Sequence, residues 1–262
     1  MNRTLITPNL NEFPKSLHPI LSGGRVYDSS CSTRARVYYI DKDGGYYLKR
    51  SPEKSLAREA AMTKYFNSKG LAANVVEYFT SDGYDWMLTE RVSGEDCTHA
   101  EYLADPERLC DTLAALLREL HEMNGDGCPV SDRMSGYFDK IKENYKSGEY
   151  DLSYLLPRVA SLTVEEAYDL VMKNRDTLKS DTLLHGDYCL PNVMLDGWRF
   201  SGFIDLDGAG MGDRHVDLYW GAWTLKFNLK TDIYRGRFFD AYGRDRVDAD
   251  MIDLVSVAEV FG

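Results

Sequence analysis

Residues 183–217, LLHGDYCLPNVMLDGWRFSGFIDLDGAGMGDRHVD, constrain the fold of this chain more than any other stretch. Asp196-Gly197 is a hairpin-turn dipeptide, and it lies between 193–195 and 200–204, both of strand-forming composition. Pairing about that turn folds position 205 back toward positions 187 and 188, with Asn192 at the foot of the first strand. Two carboxylates and an amide, far apart in sequence, are therefore expected to meet at one end of a hairpin. Hard oxygen ligands of this kind suit Mg²⁺, which takes one or two protein carboxylates and fills its other positions with phosphate oxygens and water. The set fits phosphoryl transfer, where positioning and charge neutralisation supply most of the catalysis. A lone aspartate is ordinarily a turn or capping residue; the spacing is what singles out Asp187, Asn192 and Asp205.

The rest of the chain divides by pattern. Residues 36–40 and 46–49 are β-branched or aromatic and flank the turn sequence 41–45, which predicts a hairpin. Residues 54–67 read as a helix with Leu56, Ala60 and Phe66 near one face, and 75–79 and 86–89 as two more short strands. Asp105-Pro106 is an N-cap followed by proline at the first helical position, and an apolar stripe runs from Leu109 through Leu113, Leu116, Leu117 and Leu120. Thr163-Val-Glu-Glu166 is a capping box, and 217–227, rich in aromatics, reads as a buried helix. A strand-rich part with one main helix, a short connection near 91–94 and a mainly helical part form an α+β, two-lobed plan. The expected lobes are 1–91 and 92–262, with a nucleotide cleft between them.

Composition narrows the partners. The 262 residues carry a net charge of −11, and binding nucleic acid requires the opposite sign. An acidic surface can attract a cationic substrate, or it can serve solubility alone. No run of about 18 apolar residues is present and the N-terminus has no secretory h-region, so a cytoplasmic protein without membrane attachment is expected. The five cysteines are widely spaced with no C-x-x-C pair, which predicts free thiols rather than a disulfide framework or a structural zinc site.

HGDYCLPN resembles the catalytic loop of the aminoglycoside phosphotransferases, relatives of the protein kinases, which use H-R-D-x-x-x-x-N in this role. FIDLDG takes the place of the kinase D-F-G, and CLPN, SGFID and GDRHVD are most similar to the 3′-phosphotransferase branch. The resemblance extends over nearly the whole chain and implies a protein-kinase-like fold, with an antiparallel-sheet N-lobe and a mostly helical C-lobe. It implies that Asp187 orients the acceptor hydroxyl and takes its proton, that Asn192 and Asp205 hold Mg²⁺, that His185 braces the loop, and that Asp217 holds it by its backbone. On the nucleotide side it implies ATP, with GTP possible. Lys49 would be paired with Glu59 and would hold the α and β phosphates; Tyr47 would stack on the base, and backbone groups at Thr89 and Arg91 would read it. The loop 28–33 has no G-x-G-x-x-G, and Ser30, Ser32 or Thr33 is the expected phosphate donor there.

On the acceptor side the resemblance implies a polycationic aminoglycoside, met by the chain end through Glu259 and Phe261, and a monomer or weak dimer. Two departures stand out. Asp207-Gly208 replaces the Gly-Arg that relatives carry after I-D-x, and 149–161 holds only Glu149 and Asp151 where relatives have an acidic cluster. A kinase of a macrolide, choline or another amino alcohol is the alternative acceptor reading. A nucleotide-binding pseudokinase is the alternative of another class, and it gives no role to a hydroxyl-orienting acid.

Overall fold

The computed structural model describes residues 3–31 and 35–262. The chain forms two compact units, Met1–Asp96 with Val193–Asp207, and Cys97–Asn192 with Gly208–Gly262. The sequence pattern places the boundary at 91/92. The structure instead carries the first unit to Asp96 and groups the segment 193–207 with it, because residues 95–96 pair with that segment.

Six strands build the large sheet of the first unit: β1 (Thr4–Ile6), β2 (Arg25–Asp28), β3 (Arg36–Asp41), β4 (Tyr46–Pro52), β5 (Val75–Ser81) and β6 (Tyr84–Glu90). They run antiparallel in the order β1-β2-β3-β4-β6-β5. Five short strands follow: β7 (Glu95–Asp96), β8 (Thr182–Leu184), β9 (Val193–Asp196), β10 (Arg199–Phe203) and β11 (Gly210–Gly212). β10, β9 and β7 form a second sheet in the first unit, and β8 pairs with β11 in the second. Side chains alternate along these strands. Tyr38, Ile40, Leu48, Trp86 and Leu88 pack on one face of the large sheet with Phe13, Leu17 and Leu21. Met87 and Val75 pack on the other with Leu56 and Ala60.

Helices α1 (His18–Leu21) and α2 (Ala57–Ser68) belong to the first unit. The sequence pattern predicts α2 from residue 54. Lys54 instead adopts a φ of 71°, and the buried Asp85 carboxylate of β6 takes the Leu56 N–H at 3.0 Å, so the helix opens at Ala57. The second unit holds α3 (Ala100–Leu103), α4 (Pro106–His121), α5 (Arg133–Ser147), α6 (Val164–Asn174), α7 (Arg214–Leu229), α8 (Arg235–Gly243) and α9 (Ala249–Ala258). Asp105 caps α4 through the Arg108 N–H, with proline at the first helical position. The Thr163–Glu166 capping box opens α6. α7 starts three residues before Asp217, because Asp213 is its N-cap and accepts the His215 N–H. The core of this unit is formed by α5, α6, α7 and α9 around Ile141, Val171, Tyr219, Val255 and Phe261. Among the described residues no disulfide joins any of the five cysteines.

The β9–β10 hairpin forms, but its loop is one residue later than Asp196-Gly197. Asp196 pairs with Arg199, leaving Gly197 and Trp198 as the loop with φ of 55° and 67°. Positive φ at both positions is the turn whose twist matches a tight antiparallel pair. A bulge between Phe200 and Gly202 then inserts Ser201, and Phe203 comes to pair with Val193.

Candidate active site

The first unit contributes a charge cluster. Lys49 lies opposite Met87 in the β4–β6 pairing, and so projects to the face on which α2 packs. Glu59 stands in the first turn of α2 and is 4% exposed. The Lys49 ammonium lies 2.7 Å from Glu59 Oε2 and 2.9 Å from Asp205 Oδ1. Asp205, two residues beyond β10, has a φ of 60° and keeps 52% of its side-chain exposure. Burial alone would lower the Lys49 pKa, but the two carboxylates raise it and keep the ammonium charged. Burial pushes Glu59 up to about 7 against the pull of Lys49, and the negative charges of Asp205 and Asp207 add to that rise.

The nucleotide-side residues occupy the same unit. Tyr47 accepts a hydrogen bond from Arg3 at 2.6 Å, and its ring lies 5.2 Å from that of Tyr39. With Arg3, Arg91, Val92 and Met194 it lines a cavity of about 210 Å³. Thr89 sits in a central strand, paired with Tyr47 on one side and Val75 on the other. The Arg91 N–H donates to the Gly45 carbonyl at 2.9 Å, so that donor is already engaged. Ser30 closes a local turn, with its N–H on Asp28 Oδ1 and its hydroxyl accepting the Val37 N–H. Ser32 and Thr33 lie outside the described residues.

The second unit holds the loop after β8. His185 is fully buried, and its Nδ1 accepts the Asp187 N–H at 3.3 Å. Asn192 donates from Nδ2 to the Asp187 carbonyl at 3.0 Å and to Asp187 Oδ2 at 2.9 Å. That commitment of the amide nitrogen leaves the amide oxygen as the group Asn192 offers a cation. Asp217, at 0% exposure, accepts the His185 N–H (2.7 Å) on Oδ2 and the Gly186 N–H (2.8 Å) on Oδ1. His121 Nε2 lies 3.2 Å from Asp217 Oδ2, and its Nδ1 is 2.9 Å from the Tyr242 hydroxyl. These partners assign His121 as a neutral ring that donates to Asp217 and accepts from Tyr242, in keeping with the burial that lowers its pKa. Burial alone would raise Asp217, yet His121 and the Gly186 N–H hold it below the usual carboxylate range.

Sequence reasoning gives His121 no role. It ends an apolar stripe, and only folding brings it against a residue 96 positions away. Arg133 carries no signal in the sequence either; it donates to the carbonyls of Gly208 and Gly186.

The two chain-end residues expected to meet the acceptor lie in the core. Glu259 is 5% exposed and accepts the Tyr137 hydroxyl at 2.7 Å, and burial raises its pKa. Phe261 is 0% exposed and packs edge-on against Tyr145 and Tyr168. In this structure neither presents its side chain at the surface, because α5 and α6 cover them. In the acid-poor segment, Tyr150 and Leu152 are exposed. The Tyr154 ring lies 5.7 Å from Trp220 and 6.0 Å from Trp223. Burial raises the Tyr154 hydroxyl, and the nearby carboxylates of Asp151, Glu259 and Asp187 raise it further.

Comparison with known proteins decides the family. Residues 30–252 match the model of the Phosphotransferase enzyme family. The chain belongs to this family. Among curated relatives, a probable aminoglycoside 3′-phosphotransferase of Lactococcus lactis subsp. lactis (strain IL1403) is 50% identical over 97% of both chains. An aminoglycoside 3′-phosphotransferase of Niallia circulans is 27% identical over 82% of this chain and 84% of its own. Among solved structures, an aminoglycoside-3′-phosphotransferase of type VIII covers 96% of both chains at 22% identity with a TM-score of 0.77. The Streptomyces rimosus aminoglycoside phosphotransferase APH(3″)-Id, solved with ADP and streptomycin, gives a TM-score of 0.74 at 19% identity over 97% of this chain and 98% of its own. The fold of these enzymes, α+β and kinase-like, is that of this chain.

Proposed function

We propose that this chain is a cytoplasmic enzyme that transfers the γ-phosphate of ATP to the 3′-hydroxyl of an aminoglycoside, in a Mg²⁺-dependent reaction that inactivates the antibiotic. The chemistry rests on one geometric observation, the Lys49 ammonium bound at once to Glu59 and Asp205. A buried ammonium held in place by Glu59 is preorganised for the α and β phosphates. The acceptor rests on the 50% identity to the L. lactis relative.

Asp187 is the residue that orients the acceptor hydroxyl and accepts its proton. The Asn192 amide on Oδ2 and the His185 ring on the backbone N–H support that role by fixing its carboxylate and main chain. Asn192 and Asp205 are the protein's ligands to Mg²⁺. The residues fit that ion: the donors are an amide oxygen and a carboxylate, and Asp205 retains solvent exposure beside Lys49. With only these two protein donors offered, phosphate oxygens and water would fill the other positions of the ion. When bound, the ion neutralises charge on the β and γ phosphates. Tyr47 offers a ring face to the base, with the backbone around Thr89 and Arg91 beside it; such contacts admit GTP as well as ATP. The net charge of −11 draws a polycation toward the protein.

The test is mass spectrometry of products after incubation with ATP, Mg²⁺ and a panel of acceptors. An aminoglycoside bearing a 3′-hydroxyl is expected to gain one phosphoryl group, and an analogue lacking that hydroxyl to gain none. Turnover confined to choline, an amino alcohol or a macrolide would replace the acceptor while keeping the kinase. Nucleotide binding without transfer to any acceptor would leave a pseudokinase.

A further inference from the structure

The loop that carries Asp187 is gripped on one side by Asp217. Its other side is gripped by a residue with no assigned role. Arg133 is the first residue of α5 and is 8% exposed. Its Nε donates to the Gly208 carbonyl at 2.6 Å and its Nη2 to the Gly186 carbonyl at 3.1 Å. These two glycines touch. A Cβ on Gly186, which has a φ of 81°, would run into the Gly208 oxygen, and one on Gly208 would come within 3.0 Å of the Gly186 carbonyl. The carbonyls of two abutting glycines thus share one cation.

The Gly186 carbonyl and the Asp187 N–H belong to the same planar peptide unit. Its oxygen is taken by Arg133 and its N–H by His185 Nδ1. The preceding N–H, that of Gly186, is taken by Asp217 Oδ1. Two successive peptide planes before the Asp187 Cα are therefore fixed, and with them the direction in which the Asp187 side chain leaves the backbone. A guanidinium holds the two carbonyls from N–H groups fixed in one plane and so sets their relative position, whereas a lysine ammonium is a point charge on a flexible stem and imposes no such geometry. Burying a cation is costly unless it is well paired, and among the described residues the Arg133 Nη1 has no hydrogen-bond partner. The guanidinium also lies 5.1 Å from the Tyr137 ring. A buried arginine paired in this way is better explained by the geometry it imposes than by stability.

We propose that Arg133 is a positioning residue for phosphoryl transfer: it clamps the Gly186 and Gly208 carbonyls and so sets the aim of the Asp187 carboxylate. This rests on the kinase reading of Asp187 but not on the identity of the acceptor. The experiment measures kcat and KM for ATP and acceptor in Arg133→Ala and Arg133→Lys, together with the thermal midpoint and the slow hydrolysis of ATP by water. The clamp predicts a fall in kcat on the order of 10²-fold in Arg133→Ala, the scale of a small misplacement of a catalytic group. Both KM values stay within a few-fold, and Arg133→Lys recovers little of kcat. Guanidinium ion added at non-denaturing concentration restores part of the Arg133→Ala rate, whereas methylammonium does not. A folded Arg133→Ala or Arg133→Lys protein with wild-type kcat overturns the proposal, as does a loss confined to KM. If Arg133→Ala does not fold, Arg133→Lys, which keeps charge and stem, carries the same test. Wild-type protein silent on every aminoglycoside but hydrolysing ATP in an Arg133-dependent way would remove the proposed acceptor and leave the clamp standing.

Discussion

Glu59 in the first unit and Asp217 in the second are 4% and 0% exposed, yet burial pushes Glu59 up to about 7 whereas Asp217 stays below the usual carboxylate range. The difference lies in the donors. Asp217 receives two backbone N–H groups and the His121 ring, all fixed by the fold. Glu59 leans on the Lys49 ammonium and shares it with Asp205. A carboxylate that accepts several preorganised hydrogen bonds is held in its ionised form in the interior; one that depends on a shared cation is pushed by burial toward easier protonation. Asp217 is built as a permanent anchor for the loop, and Glu59 as a partner whose charge responds to what Lys49 is doing.

The largest expected effect breaks the anchor. Asp217→Ala removes the acceptor of the His185 and Gly186 N–H groups and one of the two ring partners of His121, with a loss of about 3–5 kcal/mol in denaturant unfolding. A loss under about 1 kcal/mol would mean that the loop is held by something else, and the contrast with Glu59 would collapse.

The next effect is in pH. Glu59 has its folded-state pKa raised from 4.5 to about 7, so the folded protein binds the extra proton and stability falls as pH rises between those values, by on the order of 3 kcal/mol. Asp217 has the opposite sign: its folded-state pKa is lowered from 3.8, so its contribution is present above that value and is lost as pH falls through the folded pKa. Glu59→Gln should flatten the pH dependence of unfolding between 4.5 and 7 and leave the acid limb in place. An unchanged slope in that variant would show that Glu59 titrates normally. A smaller effect comes from His121→Ala, which removes a hydrogen bond to a charged acceptor, worth about 1.5–3 kcal/mol; because burial lowers the His121 pKa from 6.5, the variant should also lose the His121 share of the stability decline that begins as pH falls below that value. Thr163→Ala, remote in sequence from both acids, removes one capping bond for about 1 kcal/mol with no change in either limb. It sets the scale of an ordinary surface hydrogen bond.

The Lys49–Glu59 pairing is legible through the family resemblance alone: local pattern places the strand and the helix, but a lysine and a glutamate ten residues apart are otherwise ordinary surface charges. The Asp105 and Thr163 caps are legible without it, because each depends on a few neighbouring residues. The hairpin is readable but its turn is not: Asp196-Gly197 and Gly197-Trp198 compete for the loop, and the choice is made by cross-strand register and the Ser201 bulge. The start of α2 is misplaced by local pattern because its cap comes from Asp85, on a strand 29 residues later. Glu259 looks like a surface acid because sequence carries no information on what α5 lays over it. Arg133 is invisible, and His121, although Leu120-His121 echoes the family, has no readable role, for a related reason: their partners are backbone carbonyls or residues about 50 to 125 positions away, and an isolated Arg or His is otherwise ordinary.

The central claim is that Asp187 performs a step in transfer rather than in binding. The most direct measurement compares wild type and Asp187→Ala for nucleotide affinity by calorimetry and for the single-turnover rate of phosphoryl transfer to an aminoglycoside. ATP affinity is predicted to remain within a few-fold and the rate to fall on the order of 10²-fold or more. A variant that transfers phosphate at the wild-type rate would contradict the account.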